Sequence, residues 1–371
     1  MIKGSSRKKY LSIWHLLLLA LIIIGALIAI YHFNHPPTQA PNATDNNSSK
    51  PIVANPWFAP YVDVTLVPQF DFEKHGKSST PNAILAFIVS SNTDPCEPSW
   101  GTYATLDQAA TTYNLDQNIK SLRQNGGQIA VSFGGQTNSE LAINCIDPDQ
   151  LYVAYDTVIK HYNLSMIDID LEGDALKHTS SLERRSQTIA KLQANYQKSG
   201  TNLAVWLTLP VAPFGLPPEG LSAVKSMLSA GVNLSGINIM TMNYGSSRNH
   251  QSVVDASLAA LEQTHHQLNA LYEQNRTPKS SIAIWKMLGA TPMIGQNDIV
   301  DEVFTLTDAI ALNEFGFKRG IGRLSMWSAN RDAPCHQTQQ SPTIVSNYCS
   351  GVESTSYSFS QALGKNFNGK H

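Results

Sequence analysis

The chain has 371 residues, of which 42% are hydrophobic and 15% charged, and its formal net charge is −2. That is more chain than one small domain needs, with the ordinary balance of a globular protein that can bury a sizeable core. No basic run occurs beyond the first ten residues, so nothing in the charge balance points to a nucleic-acid partner and none is expected, whereas a neutral glycan suits such a surface.

Residues 1–10 carry Lys3, Arg7, Lys8 and Lys9, and residues 11–31 are almost continuously apolar. Such a run is long enough to cross a bilayer. Positive charge before it predicts a cytoplasmic tail at 1–10, a transmembrane signal anchor at 11–31 and a main body outside the cytoplasm, periplasmic or extracellular. A cleaved signal peptide, giving a secreted protein, is the alternative, but the apolar region is long for one and no small-x-small cleavage site ends it. Residues 32–56, rich in Pro, Asn, Ser and Thr, read as a flexible linker. Four cysteines follow the span, and in an exported chain an even number reads as disulfides. Their grouping suggests Cys96 with Cys145 and Cys335 with Cys349, although spacing alone admits three pairings. Without a Cys-x-x-Cys or histidines at ligand spacing, no metal site is expected.

From Trp57 short apolar runs alternate with longer mixed segments, the rhythm of strands and helices. Eight strands are predicted: Tyr61 to Leu66, Ala83 to Val89, Gln128 to Phe133, Met166 to Glu172, Leu203 to Pro210, Gly236 to Met242, Ile282 to Leu288 and Gly322 to Trp327. Helical stretches between them include Leu115 to Gln124, Leu182 to Ser199, Ser222 to Ala230, Val253 to Asn275 and Ile299 to Phe315. This order predicts an α/β fold, a (β/α)8 TIM barrel over 57–371, with a doubly wound open sheet as the alternative. The segment after Arg331 supplies the closing loop and last helix.

In such a barrel the reacting groups stand at the carboxyl ends of the strands. Ser132, Gly134 and Gly135 end the third strand, Tyr244 follows the sixth, and Trp327 ends the eighth. The fourth reads Met166-Ile-Asp-Ile-Asp-Leu-Glu172. Period-two alternation puts Asp168, Asp170 and Glu172 on one face and Ile167, Ile169 and Leu171 on the other. Three crowded acids repel one another, which a structural strand gains nothing from but a site that holds one acid protonated near neutral pH exploits.

This strand resembles that of glycoside hydrolase family 18, the chitinase family, whose motif is Asp-x-x-Asp-x-Asp-x-Glu; three of the four acids match. The third-strand Ser-x-Gly-Gly is present as Ser132-Phe-Gly-Gly135, and the likeness continues through Ala59-Pro-Tyr-Val-Asp63, Thr291-Pro-Met-Ile-Gly-Gln-Asn-Asp298 and Ser325-Met-Trp-Ser-Ala-Asn-Arg-Asp332. The resemblance is to a bacterial and archaeal branch and covers essentially everything after the linker. It implies a retaining hydrolase of β-1,4-linked N-acetylglucosamine polymers, acting as a monomer without cofactor. By resemblance Glu172 is the general acid, and the substrate's own N-acetyl carbonyl replaces an enzyme nucleophile. Asp170 then orients the acetamide and stabilises the oxazolinium ion, and Asp168 shares a proton with Asp170.

Tyr244 corresponds to the family tyrosine that bonds the acetamide oxygen, although Met242 occupies the position where many members carry it. Trp327 resembles the tryptophan that floors the reacting subsite. Met242, Asn243 and Ser132 join the substrate-binding set, with Ser132 and the glycines expected to keep the interior open and bond Asp168. Trp100 and Trp206 either extend the cleft or pack. Two departures stand out: Ser165 replaces the first acid, and Asn243 stands where many relatives have Asp. Alternatives to chitin hydrolysis are an endo-β-N-acetylglucosaminidase acting on glycan cores or cell-wall glycans, and a non-hydrolytic chitinase-like lectin.

Overall fold

The computed structural model describes residues 56–335 and 345–369. The expected cytoplasmic tail, transmembrane anchor and linker up to residue 55 lie outside the described residues. Among the described residues no helix is long and apolar enough to cross a membrane.

The strands are β1 (Trp57–Phe58), β2 (Tyr61–Asp63), β3 (Ala83–Ser90), β4 (Pro98–Trp100), β5 (Ala104–Thr105), β6 (Ile129–Gly134), β7 (Met166–Asp170), β8 (Ala204–Pro210), β9 (Gly236–Met240), β10 (Leu288–Thr291), β11 (Gly295–Gln296), β12 (Val303–Phe304) and β13 (Arg323–Leu324). Ala59-Pro60 splits the first barrel strand, because proline has no N–H to give to a ladder. Its β1 half pairs with β13 and its β2 half with β3, and parallel pairing runs β3-β6-β7-β8-β9-β10-β13. The sheet thereby closes on itself as an eight-position barrel. Asn330 fastens the seam, accepting from the Asp63 N–H at 2.9 Å and donating to its carbonyl at 3.1 Å.

The helices are α1 (Phe72–Gly76), α2 (Leu106–Thr112), α3 (Leu115–Gln124), α4 (Leu141–Asn144), α5 (Pro148–His161), α6 (Thr179–Lys198), α7 (Pro218–Ser229), α8 (Val253–Gln274), α9 (Ser281–Lys286), α10 (Leu306–Arg319) and α11 (Ser358–Gly364). α5 is not among the helices named from the sequence; Asp147 caps it, accepting from two backbone N–H groups, and Pro148 opens it.

Two expectations fail locally. Ile282 to Leu288 is not a strand: Ser280 accepts from the Ala283 N–H and starts α9, and the ladder begins only at Leu288. The helix expected from Ile299 starts instead at Leu306, where Thr305 and Asp308 form a capping box; Val303–Phe304 has already paired with Gly295–Gln296.

One apolar layer fills the space between strands and helices, and includes Ile167, Ile169 and Leu171. A smaller cluster fills the barrel itself: Trp57, Ala59, Tyr61, Ile84, Ala86, Ala130, Met166 and Trp206. The disulfides are Cys96–Cys145 and Cys335–Cys349, as the grouping suggested.

Candidate active site

β7 turns Met166, Asp168 and Asp170 into the barrel, so the acids climb from the packed interior toward the mouth. Glu172 keeps an extended backbone (φ −133°, ψ 162°), which carries the alternation past the end of the ladder. Ser165 is exposed at the opposite end of β7, away from the acids.

Asp168 is fully buried and receives four donors. Thr208 Oγ1 and Arg323 Nη1 reach Oδ1, both at 2.7 Å; Ser132 Oγ at 2.7 Å and the Tyr61 hydroxyl at 2.8 Å reach Oδ2. Behind them Asn238 Nδ2 donates to Thr208 Oγ1 (3.1 Å) and Thr291 Oγ1 (2.8 Å). Asp170 is nearly as buried, yet its Oδ1 has no hydrogen-bond partner among the described residues. Burial pushes its carboxyl well above the usual range, and the charges of Glu172 and Asp168 act the same way against the opposing pull of Arg323. Glu172, half-buried at the rim, is raised from 4.5 to about 7, first by burial and then by the charge of Asp298. A carboxyl with that value is still protonated near neutral pH and can give its proton away.

Trp327 is half-buried at the mouth, stacked on Phe87 with centroids 5.6 Å apart and 17° between planes, and Tyr61 lies 6.2 Å from it. The two glycines after Phe133 make this approach possible. A Cβ on Gly134 would stand 2.0 Å from the Asp170 carbonyl oxygen, and one on Gly135 would meet the Phe87 ring at 2.8 Å.

Several expected site residues do not join the carboxylates. Tyr244 is buried with its hydroxyl donating to Ser257 Oγ of α8 at 3.1 Å, and not to Asp170. The cause is local: Asn243 adopts a left-handed φ of 52°, and Glu302 accepts from the N–H groups of Tyr244 (2.9 Å) and Gly245 (2.6 Å). Those bonds turn the tyrosine toward the helix layer. Ser132, by contrast, does join them: it is fully buried and donates to Asp168 at 2.7 Å, as expected, and it does not face a ligand. Asp168 makes no hydrogen bond to Asp170 among the described residues. Trp100 is fully buried and donates to the Tyr162 hydroxyl at 2.8 Å, and Trp206 packs edge-on against Trp57; both are packing residues.

Met242 and Asn243 remain half-exposed beyond β9. Asn243 is held by Asp298, donating from Nδ2 to its carboxylate at 2.7 Å and accepting its N–H at 3.0 Å. Thr208, Asn238, Arg323 and Phe87 are absent from the residues picked out by sequence, and Tyr61 and Asp298 figure there only within matched stretches, without a role at the site. The signal for most of them is a polar residue at an inward position of an otherwise apolar strand.

Fold and site together define a (β/α)8-type barrel with a raised carboxyl at its mouth, the arrangement of an acid catalyst. No protein-family model matches the chain. It is 35% identical over 285 residues to the "probable bifunctional chitinase/lysozyme" of Escherichia coli (strain K12), an alignment covering 75% of this chain and 31% of the relative. To endochitinase 11 of Metarhizium anisopliae it is 34% identical over 290 residues, 76% of this chain and 53% of that one. The chain thus spans about a third to a half of these curated relatives. Among solved structures, the catalytic domain of the hyperthermophilic chitinase from Pyrococcus furiosus superposes with a TM-score of 0.69 at 30% identity, covering 84% of this chain and 96% of that domain. The chain belongs to glycoside hydrolase family 18, the chitinase family.

Proposed function

We propose that this chain is a chitin-cleaving retaining hydrolase whose substrate supplies the nucleophile. The observation that carries the proposal is Glu172, a half-buried carboxyl raised to about 7 at the barrel mouth directly above the buried Asp170. Glu172 donates its proton to the glycosidic oxygen as the C1–O bond breaks, and the N-acetyl carbonyl oxygen bonds to C1. Asp170 and Glu172 titrate as a pair; with the one proton of the pair on Glu172, Asp170 is the ionised member, accepts from the acetamide N–H and balances the oxazolinium charge. Water then attacks C1, the carbonyl oxygen leaves, and the Glu172 carboxylate takes the water proton. Trp327, half-exposed on Phe87, supplies a flat apolar face for a pyranose ring.

The test is product analysis on N-acetylglucosamine oligomers beside oligomers carrying glucosamine at the reacting position. Cleavage confined to N-acetylated units is expected, and equal rates would mean that an aspartate is the true nucleophile. Glu172→Gln should cut turnover roughly 100- to 10,000-fold while oligomer binding survives.

A second substrate is favoured by the likeness to the Escherichia coli relative, whose name couples chitinase with lysozyme. Bacterial cell-wall glycan offers the same N-acetyl group, and parallel assays on both polymers separate the two. The body is further proposed to sit outside the cytoplasm, anchored through residues 11–31; the two disulfides support an oxidising compartment.

A further inference from the structure

At the barrel seam lies a groove of about 570 Å³, within the roughly 300–1,000 Å³ of small-ligand sites. One wall comes from the loop between β2 and α1, with Phe70; the other comes from the chain beyond β13, with Pro334, Tyr348 and Tyr357. Ala329 and Asn330 also line it, two and three residues past Trp327. Asn330 is the side chain that fastens the seam on Asp63, at the carboxyl end of the first barrel strand. The groove therefore begins where the floor of the mouth ends.

Its charges cancel or are spent. Asp71 and Lys74 stand in the same lining with opposite signs, and Lys74 Nζ lies 5.2 Å from the centre of the Tyr357 ring. Asp332, the other carboxylate, is buried and accepts from the N–H groups of Phe359 (3.1 Å) and Ser360 (2.8 Å) and from the Ser360 hydroxyl (2.7 Å). What remains for a ligand is aromatic surface: Phe70 and Tyr357 are half-buried and Tyr348 is 41% exposed. Aromatic rings in a lining without net charge suit a neutral pyranose, which has an apolar face and a hydroxyl-bearing edge.

Pro334 and Tyr348 are the immediate chain neighbours of Cys335 and Cys349, so that one disulfide joins two parts of the same wall. Arg331, fully buried, donates to the carbonyls of Ile294 (2.9 Å), Gln296 (2.6 Å) and Ser346, and the Gln296 N–H donates to the Ser350 carbonyl at 2.8 Å. These bonds seat the Tyr348 side of the wall on the loop after β10. We propose that the groove is a second saccharide site, which takes pyranose units of the glycan beyond the one on Trp327, and that the Cys335–Cys349 disulfide holds its Tyr348 wall. The identity of the sugar rests on the proposed function. A polymer lying on Trp327 has to continue over the rim, and at the seam it meets these rings.

The test is calorimetric binding of the disaccharide and the hexasaccharide of N-acetylglucosamine to the full chain carrying Glu172→Gln, which does not consume them. The disaccharide occupies the mouth and the hexasaccharide reaches beyond it, so the longer sugar should bind more tightly. Adding Tyr348→Ala should shrink that advantage about tenfold. Tyr348→Phe should restore it, because the ring and not the hydroxyl makes the contact. Cys335→Ser with Cys349→Ser should reproduce the loss seen with Tyr348→Ala; a folded double variant that keeps the full advantage overturns the role of the disulfide. Equal affinity for the two sugars, or an advantage that Tyr348→Ala leaves intact, overturns the groove, whether or not the cysteine variant folds. Absence of binding by either sugar would overturn both the groove and the functional reading beneath it.

Discussion

Asp298→Asn removes one charge and almost no volume, and it isolates the electrostatic part of acid tuning. Glu172 is raised from 4.5 to about 7, with burial the larger cause and Asp298 the second. The share of Asp298 is therefore less than half of that interval, about one pH unit, and one unit is a tenfold change in protonation worth about 1.4 kcal/mol. The protonated fraction of Glu172 at pH 7 should fall from about one half to about one tenth, lowering kcat about fivefold, while kcat at pH 5 stays unchanged. Local structure should survive, because the backbone N–H of residue 298 still donates to Asn243 Oδ1 (3.0 Å) and an amide oxygen can replace the carboxylate facing Asn243 Nδ2. The assay is a pH–rate profile on a soluble chromogenic oligomer, read on its alkaline limb, which reports the last proton of the Asp170–Glu172 pair. Asp298 is exposed, so added salt should shrink the difference between variant and wild type. An alkaline limb that stays put in the folded variant would refute the reasoning.

Because the folded Glu172 value lies above its unfolded one, its contribution to stability is full below pH 4.5 and is lost as pH rises through about 7. Glu172→Gln should accordingly flatten the fall in melting temperature over that window. Trp327→Ala should lower kcat/KM by about 10- to 100-fold by removing the stacking face, with unchanged kinetics pointing instead to pure packing. Tyr244→Phe should cost about 1 kcal/mol for the lost bond to Ser257 and leave kcat within about twofold; a collapse of kcat would mean that the tyrosine does reach substrate. Gly134→Ala puts a Cβ 2.0 Å from the Asp170 carbonyl at a φ of 111°, so denaturant melts should show a loss of roughly 2–5 kcal/mol.

The acids were legible because carboxylates at period two have few structural explanations, and the barrel because its strands are short apolar runs at regular intervals. β10 was not: Leu288-Gly-Ala-Thr291 offers little β-branched apolar surface, while the richer Ser281–Lys286 stretch beside it folds as a helix under its Ser280 cap. Arg323 reads locally as a charged residue opening a weak strand; its partner Asp168 is 155 positions away, and Tyr61 is 107 from the same carboxylate. Only closure of the barrel brings them together. Tyr244 was misplaced for the opposite reason, since the motif is local but the left-handed turn at Asn243 and the grip of Glu302 are set by the neighbouring loop.

One strand thus carries three acids whose pattern is identical and whose environments are not. Asp168 has donors from β2, β6, β8 and β13, including a full positive charge. Asp170, one step up, has a buried oxygen with no partner, and Glu172, a further step, has partial solvent and the charge of Asp298. The sequence of β7 sets none of these differences; they come from strands on the far side of the barrel and from the loop after β10. Arg323 and Tyr61 belong to the strands that meet at the seam, so opening the seam would strip Asp168 of its counter-ion at the same time as it unravels the sheet. A lesion at the Asp63–Asn330 bridge, such as Asn330→Ala, should therefore lower kcat before it abolishes folding, because Arg323 reaches Asp168 only while β13 stays seated beside the first barrel strand; kcat unchanged in a variant with a lowered melting temperature would refute the coupling.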